Sequence, residues 1–386
     1  MIDGRISIPT PRRLAEFRTA REPGVSERRL QVLALLPYPV GEAPGQRYRI
    51  EQWAPYLRDH GIDVHFAPFA GSELARALYQ PGRYATKTLH MCRAWLGRAR
   101  TAWRSANFDI VYLYREAALV GPALLERLAR WRNPRLVYDF DDAIWLRYVS
   151  PRNRYLSYLK APGKTRGICR MAAAVTVGNE TLAAFARRYN PAVTIIPSTV
   201  SLREYVPRPD ARRESIPVIG WTGSHSSAQY LRLIEGPLKR LSQRRRFRLV
   251  VIGIGDYRID GVDVECRPWR PEREVEDLWS IDVGIMPLFD DAWAGAKCAM
   301  KAIQYMGVAV PAVVSPIGAN RDVVQDGQCG FHATNEDEWA SALDRLLDSQ
   351  DLRSRMGAEG RRRVEGLYSA EVHAPRLAGL LRSLTP

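Results

Sequence analysis

Lysine is what this chain has least of among its charges. Only six of its 57 basic residues are lysines, so arginine carries almost all of the positive charge. A GC-rich coding genome would account for most of that bias. Paired cysteines are missing too. Cys92, Cys169, Cys266, Cys298 and Cys329 are odd in number, scattered, and form no C-x-x-C. That spacing argues against a disulfide framework and a zinc site, and fits a reducing cytoplasm. No apolar run approaches the ~20 residues that cross a bilayer, and no basic-then-apolar segment opens the chain. A membrane span and an obvious export signal are therefore not expected. Short-period repeats and low-complexity tracts are also lacking.

What is present describes an ordinary globular protein, with 46% hydrophobic and 26% charged residues. Its 386 residues exceed what one core organises, so two domains are expected. The net charge of +15 requires a partner: nucleic acid, an anionic membrane face or a phosphorylated substrate. A helix over 87–104 narrows the choice. Leu89, Cys92, Leu96, Ala99 and Trp103 recur at spacings of three and four, predicting one apolar seam packed on a core. Arg93, Arg100 and Arg104 form a second stripe beside it, open to something acidic or merely solvated.

The order of elements repeats itself. "LQVLALLPYPV" reads as a buried strand, "QRYRIEQWAPYLRDHG" as a helix ended by Gly61, and "DVHFAPF" as the next strand, a β-α-β unit. "FDIVYLY", "RLVYDF", "AAAVTVG" and "VTIIPS" continue the strands. After the polar stretch "SLREYVPRPDARRES" the grammar restarts with "IPVIGWTGS", "FRLVVIGIGD", "VDVECRPW", "IDVGIMPLF" and "VAVPAVVSP". Helices are expected between them over 227–243, 271–279 and 298–307. The reading is α/β, with two Rossmann-like domains facing across a cleft. It divides the chain into an N-terminal extension (1–28), a first domain (29–200), a linker (201–215), a second domain (216–370) and a last helix (371–386) returning to the first. In such sheets ligands bind beyond the carboxyl ends of the strands.

Two stretches of the second half carry chemistry. In "GWTGSHSS" a strand runs into Thr222, Gly223, Ser224, His225 and Ser226, small residues whose backbone N–H groups can hold phosphate oxygens, though a plain β-α turn uses the same residues. "VIGIGD" begins a dinucleotide fingerprint that no later glycine completes, which weakens a dehydrogenase reading. In "GAKCAMKAIQYMGVAVPAVVSPIGAN" this lysine-poor chain places Lys297 and Lys301 four residues apart. Both could lie on one helical face that Gln304 continues. The ammonium groups suit a diphosphate, and the Gln304 amide suits a sugar hydroxyl; a solvated lysine pair is the plainer alternative.

That segment, with "GQCGF" after it and "LVVIGIGDY" and "EVEDLWSIDVGIMPL" before it, resembles the donor-site region of glycosyltransferase family 4, of the GT-B fold. "VTVGNETLAAFARRYNPAVTIIPSTVSLREYVP" resembles the same family's run into the interdomain joint, so the resemblance covers about residues 30–370. There are departures. The family's two donor-segment glutamates fall here on Ala296 and Gln304, and the basic residues expected after the first strand of the second domain are missing from "TGSHSSAQYL". A subgroup reading K-C-x-x-K-x-x-Q-Y-M would move the phosphate-neutralising charge onto Lys297 and Lys301; a degenerate, inactive relative is the alternative.

The resemblance implies transfer of a sugar from a nucleoside-diphosphate sugar to an acceptor hydroxyl, with retained configuration and no metal. It implies that Trp269 and Arg270, in "RPWRPE", meet the nucleoside. Asp139, in "YDFDDAIW", falls near the reaction centre, with Asp141 and Asp142 on the acceptor side. That Asp-x-Asp pair could ligate a divalent cation, as in the single-domain GT-A type, but the sheet restarts after residue 215. Gly45, Arg47 and Arg49 at a helix start, with Arg115 and Glu116 in "LYREA", are expected to face the cleft and clamp a phosphate. The expected catalytic set is Asp139, Lys297 and Lys301. The expected partners are a nucleotide-sugar donor, a glycan or lipid-linked acceptor and an anionic membrane surface on the cytoplasmic side. Two rivals stay open: a nucleotide-sugar epimerase or phosphorylase on the same fold, and a nucleic-acid-binding protein. No platform of aromatic residues interleaved with basic ones favours the latter.

Overall fold

The structure is a computed structural model that describes residues 28–79, 82, 84–146, 161–209 and 216–385. Residues 1–27 of the expected extension and 210–215 of the expected linker lie outside the described residues.

Two parallel six-stranded sheets follow one another along the chain. The first contains β1 (Leu30–Leu36), β2 (Ile62–Pro68), β3 (Ile110–Tyr114), β4 (Leu136–Phe140), β5 (Ala174–Val177) and β6 (Val193–Ile195), in the order β2-β1-β3-β4-β5-β6. The second contains β7 (Val218–Thr222), β8 (Arg248–Ile252), β9 (Asp263–Arg267), β10 (Val283–Met286), β11 (Ala312–Val314) and β12 (Gly330–His332), in the order β12-β11-β10-β7-β8-β9. Every residue of β3, β4, β5, β7 and β10 is buried. That explains why their sequences are continuous apolar runs rather than alternating ones. In each sheet the strand order reverses once, between β1 and β3 and between β7 and β10. Such reversals open crevices at the carboxyl ends of the strands.

The last helix, Ala370–Ser383, crosses back to the first domain. Its Ala370, Ala374, Leu377 and Leu381 are buried against Val32, Ile50, Trp53 and Leu57. Each such leucine contributes about 1.5–3 kcal/mol of burial, so this strap fastens the two sheets together.

Several helices differ from their sequence patterns. The segment after β1 is not one helix. A short turn at Pro44–Gln46 passes into a π-helical turn at Arg47–Glu51, and Pro55 then opens Ala54–Asp59. The donor-segment helix begins at Met300 rather than 298, because Ala299 takes a left-handed conformation with φ +54°. Lys297 therefore lies outside the helix, and no shared helical face joins it to Lys301.

The largest correction concerns the helix Tyr84–Arg104. Most of the seam expected to pack on the core points outward, with Leu89, Cys92, Leu96 and Trp103 all exposed, while its Ala99 does pack on the core. The buried face is the opposite one, where Ala102 and Arg98 lie and Met91, Ala94 and Trp95 pack on the first domain's core. Arg98 donates to the carbonyl of Leu36 at 2.7 Å, at the end of β1. Burial lowers its pKa to about 10. A polar residue that finds a backbone acceptor has displaced the apolar stripe from the core.

Candidate functional site

The carboxyl ends of both sheets meet at one place. From the first domain come the π-helical turn after β1, Arg115 after β3, and Asp141 and Asp142 after β4. From the second come the loop 222–227 after β7 and the segment 293–301 after β10. Two glycines allow the approach. A Cβ on Gly45 would lie 2.1 Å from the Tyr114 hydroxyl, and one on Gly178 would lie 2.2 Å from the Cys298 sulfur. The Cys298 thiol donates to the carbonyl of Asp141 at 3.2 Å, and the Asn179 amide donates to the carbonyl of Ala296 at 2.8 Å. Residues 296–298 are thus pinned to the first domain by backbone contacts.

The ionisable groups there fall into two kinds. The first kind is saturated. Arg49 and Asp139 are fully buried and paired with each other, and Asp139 also accepts the Thr176 hydroxyl at 2.6 Å. Arg47 is buried against Glu274 at 2.6 Å. Around Glu274 the Tyr48 and Tyr205 hydroxyls donate at 2.8 Å and the Trp269 indole N–H at 2.9 Å. The Gln304 amide donates to Tyr48 at 2.7 Å and to Glu274 at 3.3 Å. Burial pushes the Glu274 carboxyl up, but the Arg47 guanidinium and its hydrogen bond outweigh that and hold it below its ordinary value.

Five expectations therefore need correcting. Asp139 cannot reach an acceptor, because its oxygens are spent on Arg49 and Thr176. Arg47 and Arg49 do not clamp a phosphate, because each already neutralises a buried carboxylate. Gln304 does not face a sugar, because its amide donates into the Glu274 cluster. Trp269 is left only its half-buried ring with which to meet a nucleoside, because its N–H donates to Glu274 and the Arg47 guanidinium lies 5.3 Å from that ring. In the loop after β7 three of the backbone N–H groups expected to hold phosphate are already engaged. Thr222 donates to the Tyr305 hydroxyl at 3.0 Å, Gly223 to Ile252 at 2.9 Å and Ser224 to the Ser227 hydroxyl at 3.2 Å. Only the exposed edge of that loop, with His225, faces outward. Glu274, Tyr48 and Tyr205 were missed by the sequence reading. In "RPEREVED" Glu274 looks like one more solvated charge, and its residue type does not mark it as buried.

The second kind of group is under-neutralised. Arg115, with φ +55°, turns back onto Asp141 and Asp142 at 2.6 Å to each. Tyr114 also donates to Asp141 at 2.7 Å. Burial would raise the Asp141 carboxyl, but the Arg115 charge and the Tyr114 hydrogen bond hold it below its ordinary range. Glu116 is drawn aside to Lys164 at 3.0 Å. From the other domain Lys297 reaches Asp142 only at 3.9 Å. Lys301 makes no hydrogen bond or ion pair with a described residue; its ammonium lies 5.5 Å from the Trp221 ring. Burial, then the neighbouring Lys297 charge, lowers the Lys301 pKa to about 7, against a smaller opposing pull from Asp142. Arg270 stays exposed at the end of β9. Among the described residues no three His, Cys, Asp or Glu side chains are grouped to hold a metal ion.

Residues 216–349 match the family described as glycosyl transferases group 1. No curated protein matches the chain. Among solved structures, sucrose-phosphate synthase from Thermosynechococcus elongatus is similar over 92% of this chain and 99% of its own, at TM-score 0.63 and 16% identity. A glycosyltransferase from Rickettsia africae matches over 92% and 98%, at TM-score 0.64 and 15% identity. Anabaena HepE, solved in complex with UDP and glucose, matches over 92% and 100%, at TM-score 0.62 and 14% identity. The two six-stranded parallel sheets and their strap have the GT-B architecture of these glycosyltransferases.

Proposed function

We propose that the chain transfers a sugar from a nucleoside-diphosphate sugar to an acceptor hydroxyl, holding the donor diphosphate against Lys297 and Lys301. The observation that carries this reading is the pair itself. Two ammonium groups stand at the strand-order reversal of the second sheet, one at 3.9 Å from its carboxylate and the other with none among the described residues. A half-buried cation poorly matched by a counter-ion is costly, and a diphosphate would supply one. The match over residues 216–349 and the UDP-bound relative support the choice of ligand.

In this scheme the bond from the sugar's anomeric carbon to the diphosphate oxygen breaks. The acceptor oxygen bonds to that carbon on the same face, and its proton passes to the departing phosphate oxygen. No protein carboxylate acts as nucleophile. Lys297 and Lys301 stabilise the charge growing on the diphosphate. Arg115, Asp141 and Asp142 wall the acceptor side, and Asp142 is the carboxylate best placed to meet an acceptor hydroxyl. The acceptor is a lipid-linked glycan precursor on the cytoplasmic face of a membrane, and no metal takes part.

Thermal unfolding against UDP, GDP, dTDP and ADP tests this, for wild type and Lys297→Ala, with and without EDTA. One nucleotide should raise the midpoint, insensitive to EDTA and lost in the variant. No shift with any of the four would sink the reading.

A further inference from the structure

The helix Tyr84–Arg104 turns an unusual face to solvent. Leu89, Leu96 (61% exposed) and Trp103 form one apolar line along it. Beside that line stand Arg93, Arg100 and Arg104, which make no ion pair or hydrogen bond with any described residue. At the helix's end the apolar line widens. Trp103 lies 5.7 Å from Trp131, itself 68% exposed, and the Arg132 guanidinium covers the Trp103 ring at 4.4 Å. Solvated faces of globular proteins rarely combine aligned large apolar groups with a row of unpaired cations. The same combination lets a helix lie in a bilayer interface, its leucines and tryptophans among the acyl chains and its arginines among anionic headgroups.

We propose that this face of the helix, continued by Trp131, docks the first domain on an anionic lipid bilayer. The occupant is argued from charge: the chain carries +15, and three arginines on this face have no carboxylate among the described residues to neutralise them. A second copy of so basic a chain would bring its own arginines against these. The inference draws on the transferase reading only for why the enzyme would sit there, which is to meet a lipid-linked acceptor. Vesicle binding itself does not depend on it.

The test is flotation of the full chain, without nucleotide, with vesicles of phosphatidylcholine alone and of phosphatidylcholine with phosphatidylglycerol. Binding is expected only to the mixed vesicles and should weaken with salt. Both Arg93→Glu/Arg100→Glu and Leu89→Ser/Leu96→Ser should lose about tenfold or more in affinity, with unchanged thermal midpoints. Failure to bind either vesicle would overturn the proposal, as would equal binding to both. A concentration-dependent dimer abolished by the same variants would show that a second copy is the occupant, and would also overturn it. The nucleotide thermal shift is measured on the same samples. Vesicle binding without any nucleotide shift would sink the transferase reading and leave this surface standing.

Discussion

Two clusters of charge lie within the same interdomain cleft and behave in opposite ways. At the joint, Arg47, Arg49, Asp139 and Glu274 are buried, and each cation faces a carboxylate whose remaining oxygens are filled by hydroxyl or amide donors. At the floor of the second sheet, Lys297 is loosely held and Lys301 has no carboxylate partner among the described residues. The difference separates structure from binding. A saturated network has no valence left for a ligand, whereas an under-neutralised one is waiting for a counter-ion. Arginine and lysine divide the same way. At the joint the planar forks serve the fixed pairs, while in the proposed donor site the flexible ammonium groups stand where a diphosphate would come and go.

The hardest way to break that contrast is to open the saturated side. Asp139→Ala leaves the Arg49 guanidinium buried without its partner and should cost about 3–5 kcal/mol in denaturant unfolding. Nucleotide affinity, measured well below the unfolding midpoint, should stay within about twofold. If the variant instead keeps its stability and loses only transfer activity, Asp139 belongs to the reaction after all. On the open side the effects should reverse. Lys301→Met should leave the thermal midpoint equal or higher, since it removes a desolvated charge. It should weaken the diphosphate about ten- to a hundredfold, the worth of a charge-assisted contact of about 1.5–3 kcal/mol. Titration of the preferred nucleotide by calorimetry checks both directions at once.

The contrast also shows what the sequence could and could not tell. The strands were legible because buried parallel strands are written as unbroken apolar runs, and the restart after residue 215 gave away the second sheet. The lysine pair was legible because lysine is rare here. The Glu274 cluster was not, since it is assembled from four distant stretches around Tyr48, Tyr205, Glu274 and Gln304. Within a charged run nothing in the sequence separates the buried Glu274 and Asp277 from their exposed neighbours. The helix Tyr84–Arg104 misled for a related reason. Its stripe is real, but periodicity says only that a stripe exists, and the carbonyl that Arg98 finds at Leu36 decides which side turns inward. Gln304 is the most instructive miss. Where the resembled family carries a glutamate, this chain has Glu274 supplying the carboxylate and Gln304 donating to it. Gln304→Glu would set two carboxylates against each other. It should destabilise the fold by about 1–3 kcal/mol at neutral pH, and the deficit should shrink on acidification as the pair takes up a shared proton.

The finest discriminator is pH, because ligand-free stability and diphosphate affinity should respond to the Lys301 proton with opposite signs. In the folded protein without ligand Lys301 titrates at about 7, against 10.5 for an unhindered lysine. Between those values the unfolded chain holds a proton that the native state does not, so this group makes stability rise with pH from about 7 to about 10. Diphosphate binding runs the other way. The ligand wants the charged ammonium, so its affinity should be flat below pH 7 and decline above it as binding has to recruit a proton. Subtracting Lys301→Met from wild type isolates both trends from every other titrating group. Donor affinity that falls above pH 7 while ligand-free stability climbs over the same interval, both flattened in the variant, assigns the diphosphate to Lys301. A decline in affinity that survives in Lys301→Met places the titrating cation elsewhere in the cleft and reduces Lys301 to a side chain covering Trp221.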